Sequence, residues 1–86
     1  MLIIATQSPF SKALPPAQKD AALILTQDAV IAATLPDALA GYSTVYALES
    51  DIEARGLIDH SSPNIQVIDL AEFVKLTAKH KPLVNW

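Results

Sequence analysis

The chain has 86 residues, of which 51% are hydrophobic and 17% charged, and it contains no cysteine. A chain this short is predicted to form one domain, residues 1–86, which buries only about 60% of the surface of its unfolded chain. Without cysteine the chain has no disulfide, no thiolate metal site and no cysteine nucleophile of its own. Because so small a domain cannot hide this many apolar side chains, we expect some of them to lie against another subunit.

Charge and segment lengths exclude several classes of partner. Six basic and nine acidic side chains give a net charge of −3, and the clustered lysines Lys75, Lys79 and Lys81 are typical of the solvated face of a helix rather than of a phosphate-binding stripe. No apolar run approaches the ~20 residues of a membrane helix, and the first residues lack the pattern of a secretory signal. We therefore predict a cytoplasmic protein that binds neither nucleic acid nor membrane.

Four short apolar runs are predicted to be strands. They are nearly continuous rather than alternating, which is typical of strands buried on both faces of a parallel sheet. The runs cover residues 2–5, 21–25, 44–48 and 65–68. Helix signals follow each run, and this alternation predicts an α/β domain with right-handed crossovers.

Capping residues predict where the middle helices begin and end. Asp28 is expected to cap the helix after the second run, and Ser50 with Glu53 matches a capping box after the third. Arg55 then falls in the last turn, where a positive charge suits the helix dipole. Gly56 can take the left-handed conformation that follows a helix.

The last helix has the clearest amphipathic pattern. Asp69 is placed to cap it, and the apolar stripe behind this residue predicts that one helix face, including Phe73, packs inward. The stripe consists of Leu70, Phe73, Val74, Thr77 and Ala78.

Polar residues at the carboxyl ends of the predicted strands are the candidate site residues, because α/β sheets place their sites there. Gln27 and Asp28 follow the second strand, and Glu49 and Asp51 follow the third. Capping accounts for Asp28 and Asp51, whereas Gln27 has no evident structural role. With two glycines and no paired acid and base, neither a phosphate cradle, a metal site nor a cofactor is predicted.

Two aromatic residues have distinct predicted environments. Tyr46 lies in the middle of the third strand, so its ring is expected to be buried with its hydroxyl hydrogen-bonded. Trp86 is the final residue, where chains usually fray. Its ring is expected to pack either on its own domain or on a partner, and the sequence leaves both alternatives open.

Several segments match, in order and spacing, the pattern of one known family. They are Ser8-Pro9-Phe10, Gln27-Asp28-Ala29-Val30, Val45-Tyr46-Ala47-Leu48, Ala54-Arg55-Gly56-Leu57, Ile68-Asp69, Phe73-Val74 and Trp86. In these segments the chain resembles the TusB/DsrH family along nearly its whole length. The residues that the resemblance assigns to the family motif or to an interface are Phe10, Gln27, Asp28, Tyr46, Arg55, Phe73 and Trp86.

The resemblance implies a DsrE-like fold, a small three-layer α/β/α domain with a mainly parallel four- to five-stranded sheet. It also implies a heterohexamer with TusC-like and TusD-like subunits, in which persulfide sulfur is passed toward the 2-thiouridine of the tRNA wobble position. The active cysteine would belong to the TusD-like chain. Some DsrH-type members carry a cysteine in the first helix, and its absence here favours a non-catalytic subunit in the tRNA branch over one in sulfur oxidation.

Two other functions fit the residues less closely. A self-associating small-ligand-binding or regulatory domain would use the strand-end residues Gln27, Asp28 and Glu49. An enzyme that relies on carboxylates alone is the weakest alternative, because no acid is paired with a base. Self-association of the isolated chain is compatible with the first of these and with the family resemblance.

Overall fold

A computed structural model of the chain describes residues 1–8, 10, 21–35, 39, 41–57, 65–80 and 83–86. At its centre is a five-stranded sheet in the order β4-β3-β2-β1-β5, and each adjacent pair of strands is parallel. The strands are β1 (Leu2–Ala5), β2 (Ala22–Leu25), β3 (Thr44–Leu48), β4 (Gln66–Ile68) and β5 (Leu83–Asn85). The parallel α/β sheet predicted from the continuous apolar runs is confirmed.

The fifth strand is not visible as an apolar run, because Leu83 and Val84 are its only apolar residues and stand between Pro82 and Asn85. It pairs with β1 in parallel register, with Leu83 opposite Leu2 and Asn85 opposite Ile4. The backbone N–H of Trp86 extends this pairing by donating to the carbonyl oxygen of Ile4 over 2.8 Å. The edge strand β5 is therefore defined by its backbone hydrogen bonds to β1 and not by a hydrophobic pattern in the sequence.

In the described residues three helices connect the strands: a 3₁₀ helix (Gln27–Thr34), α1 (Glu49–Ala54) and α2 (Leu70–Lys79). Successive strands β1 to β4 advance in one direction across the sheet, whereas the connection through α2 returns across it to β5. Right-handed crossovers then place α2 on the face of the sheet opposite the other two helices. The sequence predicts a short helix or an irregular segment between the first two strands, from Ser8-Pro9 to Pro15-Pro16, and most of it lies outside the described residues.

Side chains on the two faces of the sheet form separate cores, as the alternation of side chains along a strand requires. The larger core lies under the 3₁₀ helix and α1, and it includes Leu23, Leu25, Val30 and Ile52. The smaller core comprises Leu2, Ala22, Ile24 and Ile68, with Phe73 and Leu76 of α2 packed against it. The domain thus has three layers with most of its buried residues on one side.

The 3₁₀ helix is unusually long, with eight residues, and its buried residues follow the three-residue repeat of such a helix. With three residues per turn, positions i and i+3 lie on the same side. Ala29 and Ala32 share one buried side and Val30 and Ala33 another, whereas Ile31 is only half-buried. Small side chains on two of its three sides therefore let this helix lie close to the sheet.

The predicted inward stripe of α2 is only partly correct. Asp69 caps the helix as predicted, since its carboxylate accepts a hydrogen bond from the N–H of Glu72 over 2.9 Å. Phe73 is half-buried against the smaller core, but Leu70 is 66% exposed and Val74 57% exposed. The apolar arc of α2 is wider than the face that contacts the sheet.

Candidate functional site at the carboxyl edge of the sheet

The carboxyl ends of β1 and β2 are fixed to each other by a buried threonine. Thr26 is 6% exposed, and both its hydroxyl and its backbone N–H donate to the carbonyl oxygen of Ala5, each over 2.9 Å. The residue after this anchor, Gln27, begins the 3₁₀ helix. The direction in which the chain leaves the sheet is therefore set at Thr26.

Gln27 has a left-handed backbone conformation, with φ of 51°. This conformation costs a residue other than glycine about 1–2 kcal/mol. The backbone N–H of Gln27 donates to the Oδ2 atom of Asp51 over 2.8 Å, while its side chain is exposed. A charged acceptor in α1 thus stabilises a strained residue at the end of β2.

Arg55 connects the same two segments through side chains. Its Nη2 atom lies 2.9 Å from Oδ1 of Asp28, and its Nη1 atom lies 3.7 Å from Oδ1 of Asp51. The side chain of Asp28 is 65% exposed, those of Asp51 and Arg55 only 23% and 30%. We call Gln27, Asp28, Asp51 and Arg55 the Asp–Arg cluster.

The structure corrects two capping predictions in this region. Asp28 does not cap the helix, which has Thr26 at its N-cap position and no side-chain cap. Ser50 does not form a capping box, because α1 already begins at Glu49, after Leu48. Asp28 and Asp51 instead face Arg55, and for Asp51 the i, i+4 spacing to Arg55 was the sequence signal for this contact.

The other candidate residues do not join the Asp–Arg cluster. Phe10 is 78% exposed, and its N–H donates to the hydroxyl of Ser8. Tyr46 is half-buried on the face that carries α2, together with Phe73. Trp86 packs against the larger core of its own domain, which is one of its two predicted environments.

The Asp–Arg cluster is suited to binding and positioning rather than to bond breaking. Its one guanidinium group balances one of its two carboxylates, and the cluster contains no thiol, hydroxyl or imidazole nucleophile. In the described part of the chain, no group of His, Asp and Glu residues is arranged to hold a metal ion. The cluster presents the side chains of Gln27 and Asp28 to solvent at one edge of the sheet.

A second polar feature lies at the opposite edge of the sheet. An open cavity of about 270 Å³ is lined by Ser43, Thr44, Tyr46 and His80, with the alanine that begins β2 and the alanine before it. Near this edge, burial raises the pKa of the Tyr42 hydroxyl above its usual value near 10, because the charged phenolate would be poorly solvated. Tyr42 is therefore protonated at neutral pH.

Comparison with known proteins shows the family of this chain. The family model described as "DsrH like protein" matches residues 5–83, which include all four residues of the Asp–Arg cluster and exclude Trp86. The chain belongs to the DsrH-like protein family.

Relatives with the name Protein TusB support this assignment. The chain is 42% identical to Protein TusB of Sodalis glossinidius over 95 aligned positions, which cover all of both proteins. It is 42% identical to Protein TusB of Serratia proteamaculans over 69 residues, 74% of the chain and 73% of the relative. A shorter match to Protein TusB of Buchnera aphidicola is 49% identical over 43 residues and covers 45% of that relative, so the chain matches about half the length of some relatives.

Membership of the DsrH-like family fits the observed fold. The family resemblance predicted a small three-layer domain with a mainly parallel sheet, and the structure has five parallel strands between helices on both faces. In the described residues, no helix is long and apolar enough to cross a bilayer. The family therefore accounts for the architecture, while the role of the Asp–Arg cluster depends on its chemistry.

Proposed function

We propose that this chain is the non-catalytic, TusB-like subunit of a sulfur-relay complex in the cytoplasm that acts in 2-thiouridine formation at the tRNA wobble position. The observation that carries the proposal is similarity to Protein TusB over the full chain, in a sequence without cysteine. The similarity to Protein TusB supports the proposed assembly and pathway. The absence of cysteine supports a role in which another subunit carries the sulfur.

The chemistry of sulfur relay explains why the reacting group would lie on another chain. In each transfer, an acceptor thiolate attacks the outer sulfur of a donor persulfide. A new S–S bond forms, the donor S–S bond breaks, and the donor leaves as a thiolate. Each carrier therefore needs a cysteine, and this chain has none. Its proposed role is to complete the assembly and to shape the surroundings of a cysteine on a TusD-like subunit.

The Asp–Arg cluster is the part of this chain that we assign to that role. The carboxylate of Asp51 holds the strained backbone of Gln27 in place, and this backbone positions the exposed carboxamide of Gln27. A neutral carboxamide can both donate and accept hydrogen bonds, which suits a contact with another subunit's backbone or reactive group. The rest of the cluster keeps this contact in place.

Co-expression with candidate partners tests the assembly. A tagged chain, produced together with the related small chains encoded beside it, should recover a TusC-like and a TusD-like subunit in equal amounts on size-exclusion chromatography. Recovery of this chain as a monomer from the same cells would contradict the proposed assembly.

Gene deletion tests the pathway. Loss of the gene should lower wobble 2-thiouridine in digested tRNA, measured by mass spectrometry, and the intact gene should restore it. Restoration by a Gln27→Ala variant should be weaker than by an Asp28→Asn variant, because the aspartate contributes only an exposed ion pair. An unchanged 2-thiouridine level in the deletion strain would exclude the tRNA pathway.

A further inference from the structure

The cavity at the amino edge of the sheet is open because two of its lining residues are alanines. The side chains of Ala21 and Ala22 end at Cβ, so they leave space between the start of β3 and the residue that follows α2. Ala22 is paired in register with Thr44, the first residue of β3. The cavity therefore lies at the opposite edge of the sheet from the Asp–Arg cluster.

The polar side chains that line this cavity are not used by the fold. The hydroxyls of Thr6, Thr26, Thr34 and Thr77, four of the five threonines in the chain, each donate to a backbone carbonyl. Thr44 is the exception, because its hydroxyl has no hydrogen-bond partner among the described residues.

The other three polar residues of the lining share this property. Among the described residues, no side-chain hydrogen bond is made by Ser43, Tyr46 or His80. The hydrogen bond that the sequence predicts for the Tyr46 hydroxyl is therefore not made there. Four hydrogen-bonding side chains from two elements thus line one cavity without partners in the described part of the domain.

The lining favours an uncharged ligand with a flat ring. No Asp, Glu, Lys or Arg of the described residues lines the cavity, so a charged ligand would lose water without gaining a counter-charge. Each hydroxyl can both donate and accept a hydrogen bond, as can a neutral imidazole. Tyr46 and His80 add aromatic surfaces, on which planar rings stack. The volume of about 270 Å³ corresponds to about nine water molecules, enough for one small ring.

We propose that this cavity binds a small, uncharged heterocycle that carries both hydrogen-bond donors and acceptors. The site is independent of the proposed sulfur-relay function, because it uses none of the residues assigned to that role. A ligand of about nine heavy atoms in an open cavity should bind weakly, with a dissociation constant of roughly 1 mM.

Titration of the full chain with nicotinamide, followed by ¹⁵N–¹H correlation NMR at pH 7.5, tests the proposal. Nicotinamide is planar, uncharged and carries both donors and acceptors. At concentrations up to about 10 mM it should shift the amide signals of residues 21–22, 43–46 and 80. Glycerol has donors and acceptors but no ring, and it should bind at least ten-fold more weakly. The absence of shifts in these residues, or equally strong binding of glycerol, would overturn the proposal.

Two exposed serines provide a matched pair of variants. Ser43 lines the cavity, whereas Ser50 lies in α1 at the opposite edge of the sheet. Ser43→Ala should weaken nicotinamide binding about five-fold through the loss of one hydrogen bond, and Ser50→Ala should leave it unchanged. Thr44→Val, which keeps the shape of the side chain, should have an effect similar to that of Ser43→Ala. Equal dissociation constants for the two serine variants would contradict the assignment of the site.

Filling the cavity gives a test that removes no hydrogen bond. Ala22→Val adds two methyl groups beside the open space and should weaken nicotinamide binding at least ten-fold. Urea denaturation checks that this variant folds, and the serine pair decides the question if it does not. Unchanged binding by folded Ala22→Val would contradict the site. These experiments use this chain alone, so their failure leaves the proposed hetero-complex unaffected, and failure to recover other subunits leaves the ligand result standing.

Discussion

Gln27 is held in a left-handed conformation by the carboxylate of a residue 24 positions further along the chain. This arrangement places backbone strain at the carboxyl edge of the sheet, where α/β domains bind their ligands and partners. Strain that persists at an exposed residue is more simply explained by function than by stability, because glycine at this position would remove the strain. We therefore interpret Gln27 as the centre of the candidate site.

Substitution of Gln27 tests this interpretation. Gln27→Gly should raise the free energy of unfolding by up to about 1 kcal/mol, because glycine adopts positive φ without steric cost. Gln27→Val should lower it by about 1 kcal/mol or more, because a β-branched side chain is poorly tolerated at positive φ. Urea denaturation measures both, and equal destabilisation by the two variants would show that the side chain of Gln27, not its backbone, determines stability here.

The two aspartates of the Asp–Arg cluster should differ in their contribution to stability. Asp51→Ala should cost about 1–2 kcal/mol, because it removes the acceptor of the Gln27 N–H and one neighbour of Arg55. Asp28→Ala should cost less than about 0.5 kcal/mol, because its ion pair is exposed to solvent. Thermal or urea denaturation of the pair decides the point, and an Asp28 effect as large as that of Asp51 would contradict it.

At the scale of elements, the end of α1 is the best-predicted feature of the site. Gly56 has φ of 64°; its N–H donates to the carbonyl of Glu53, and the N–H of Leu57 donates to that of Ile52. This is the Schellman pattern of hydrogen bonds that the glycine signal predicts. Because this turn ends the helix directly after Arg55, it helps to position the guanidinium group beside both aspartates.

Gly56 therefore has a conformational role that substitution can measure. Apart from its chain neighbours, a methyl group at this position would meet no atom of the described residues within 4 Å, so a clash with them cannot explain a loss of stability. Gly56→Ala should cost about 1–2 kcal/mol from the left-handed backbone alone. Gly56→Asn should cost less, because asparagine tolerates this conformation. Equal stability of Gly56→Ala and wild type in urea denaturation would refute this role.

Elements whose signals are local were predictable from the sequence, and elements fixed by tertiary contacts were not. The four apolar runs, the cap at Asp69 and the turn at Gly56 depend on neighbouring residues and are confirmed. The roles of Asp28 and Ser50 were wrong, because both residues suit a cap in isolation. The competing partner of Asp28, Arg55, lies 27 positions away and is brought close only by the fold.

The orientation of α2 also depends on tertiary contacts that the sequence pattern does not specify. Its apolar arc extends beyond the face that the sheet can cover, and the pattern alone does not say which part of the arc packs inward. In the structure Phe73 and Leu76 contact the smaller core, while Leu70 and Val74 point away from it. The sequence thus predicted an amphipathic helix correctly and its buried side only in part.

At the scale of the whole molecule, Trp86 joins the last segment to the first strand. Its carbonyl oxygen accepts hydrogen bonds from the backbone N–H and the hydroxyl of Thr6, over 2.9 Å and 3.0 Å. Its side chain packs on the larger core. We therefore expect the contacts of Trp86 to contribute to the free energy of unfolding of the isolated domain.

Truncation of the Trp86 side chain should therefore destabilise the isolated chain. Trp86→Ala should lower the free energy of unfolding by about 1–3 kcal/mol, less than for a fully buried tryptophan because the ring is only half-buried. Phe10→Ala is the matched control, since this exposed aromatic ring should contribute less than about 0.5 kcal/mol. If the two variants unfolded at the same urea concentration, the tryptophan would have to act on a partner instead.

We propose above that a cysteine on another subunit carries the sulfur and that this chain supports the transfer without carrying sulfur itself. This proposal is tested most directly by incubating a reconstituted sulfur-relay complex with a donor that carries a ³⁵S-labelled persulfide, then separating the chains under non-reducing conditions. We expect label on a cysteine-containing subunit and none on this chain, with slower labelling when this chain is omitted. Covalent label on this chain, or an unchanged labelling rate without it, would contradict the account.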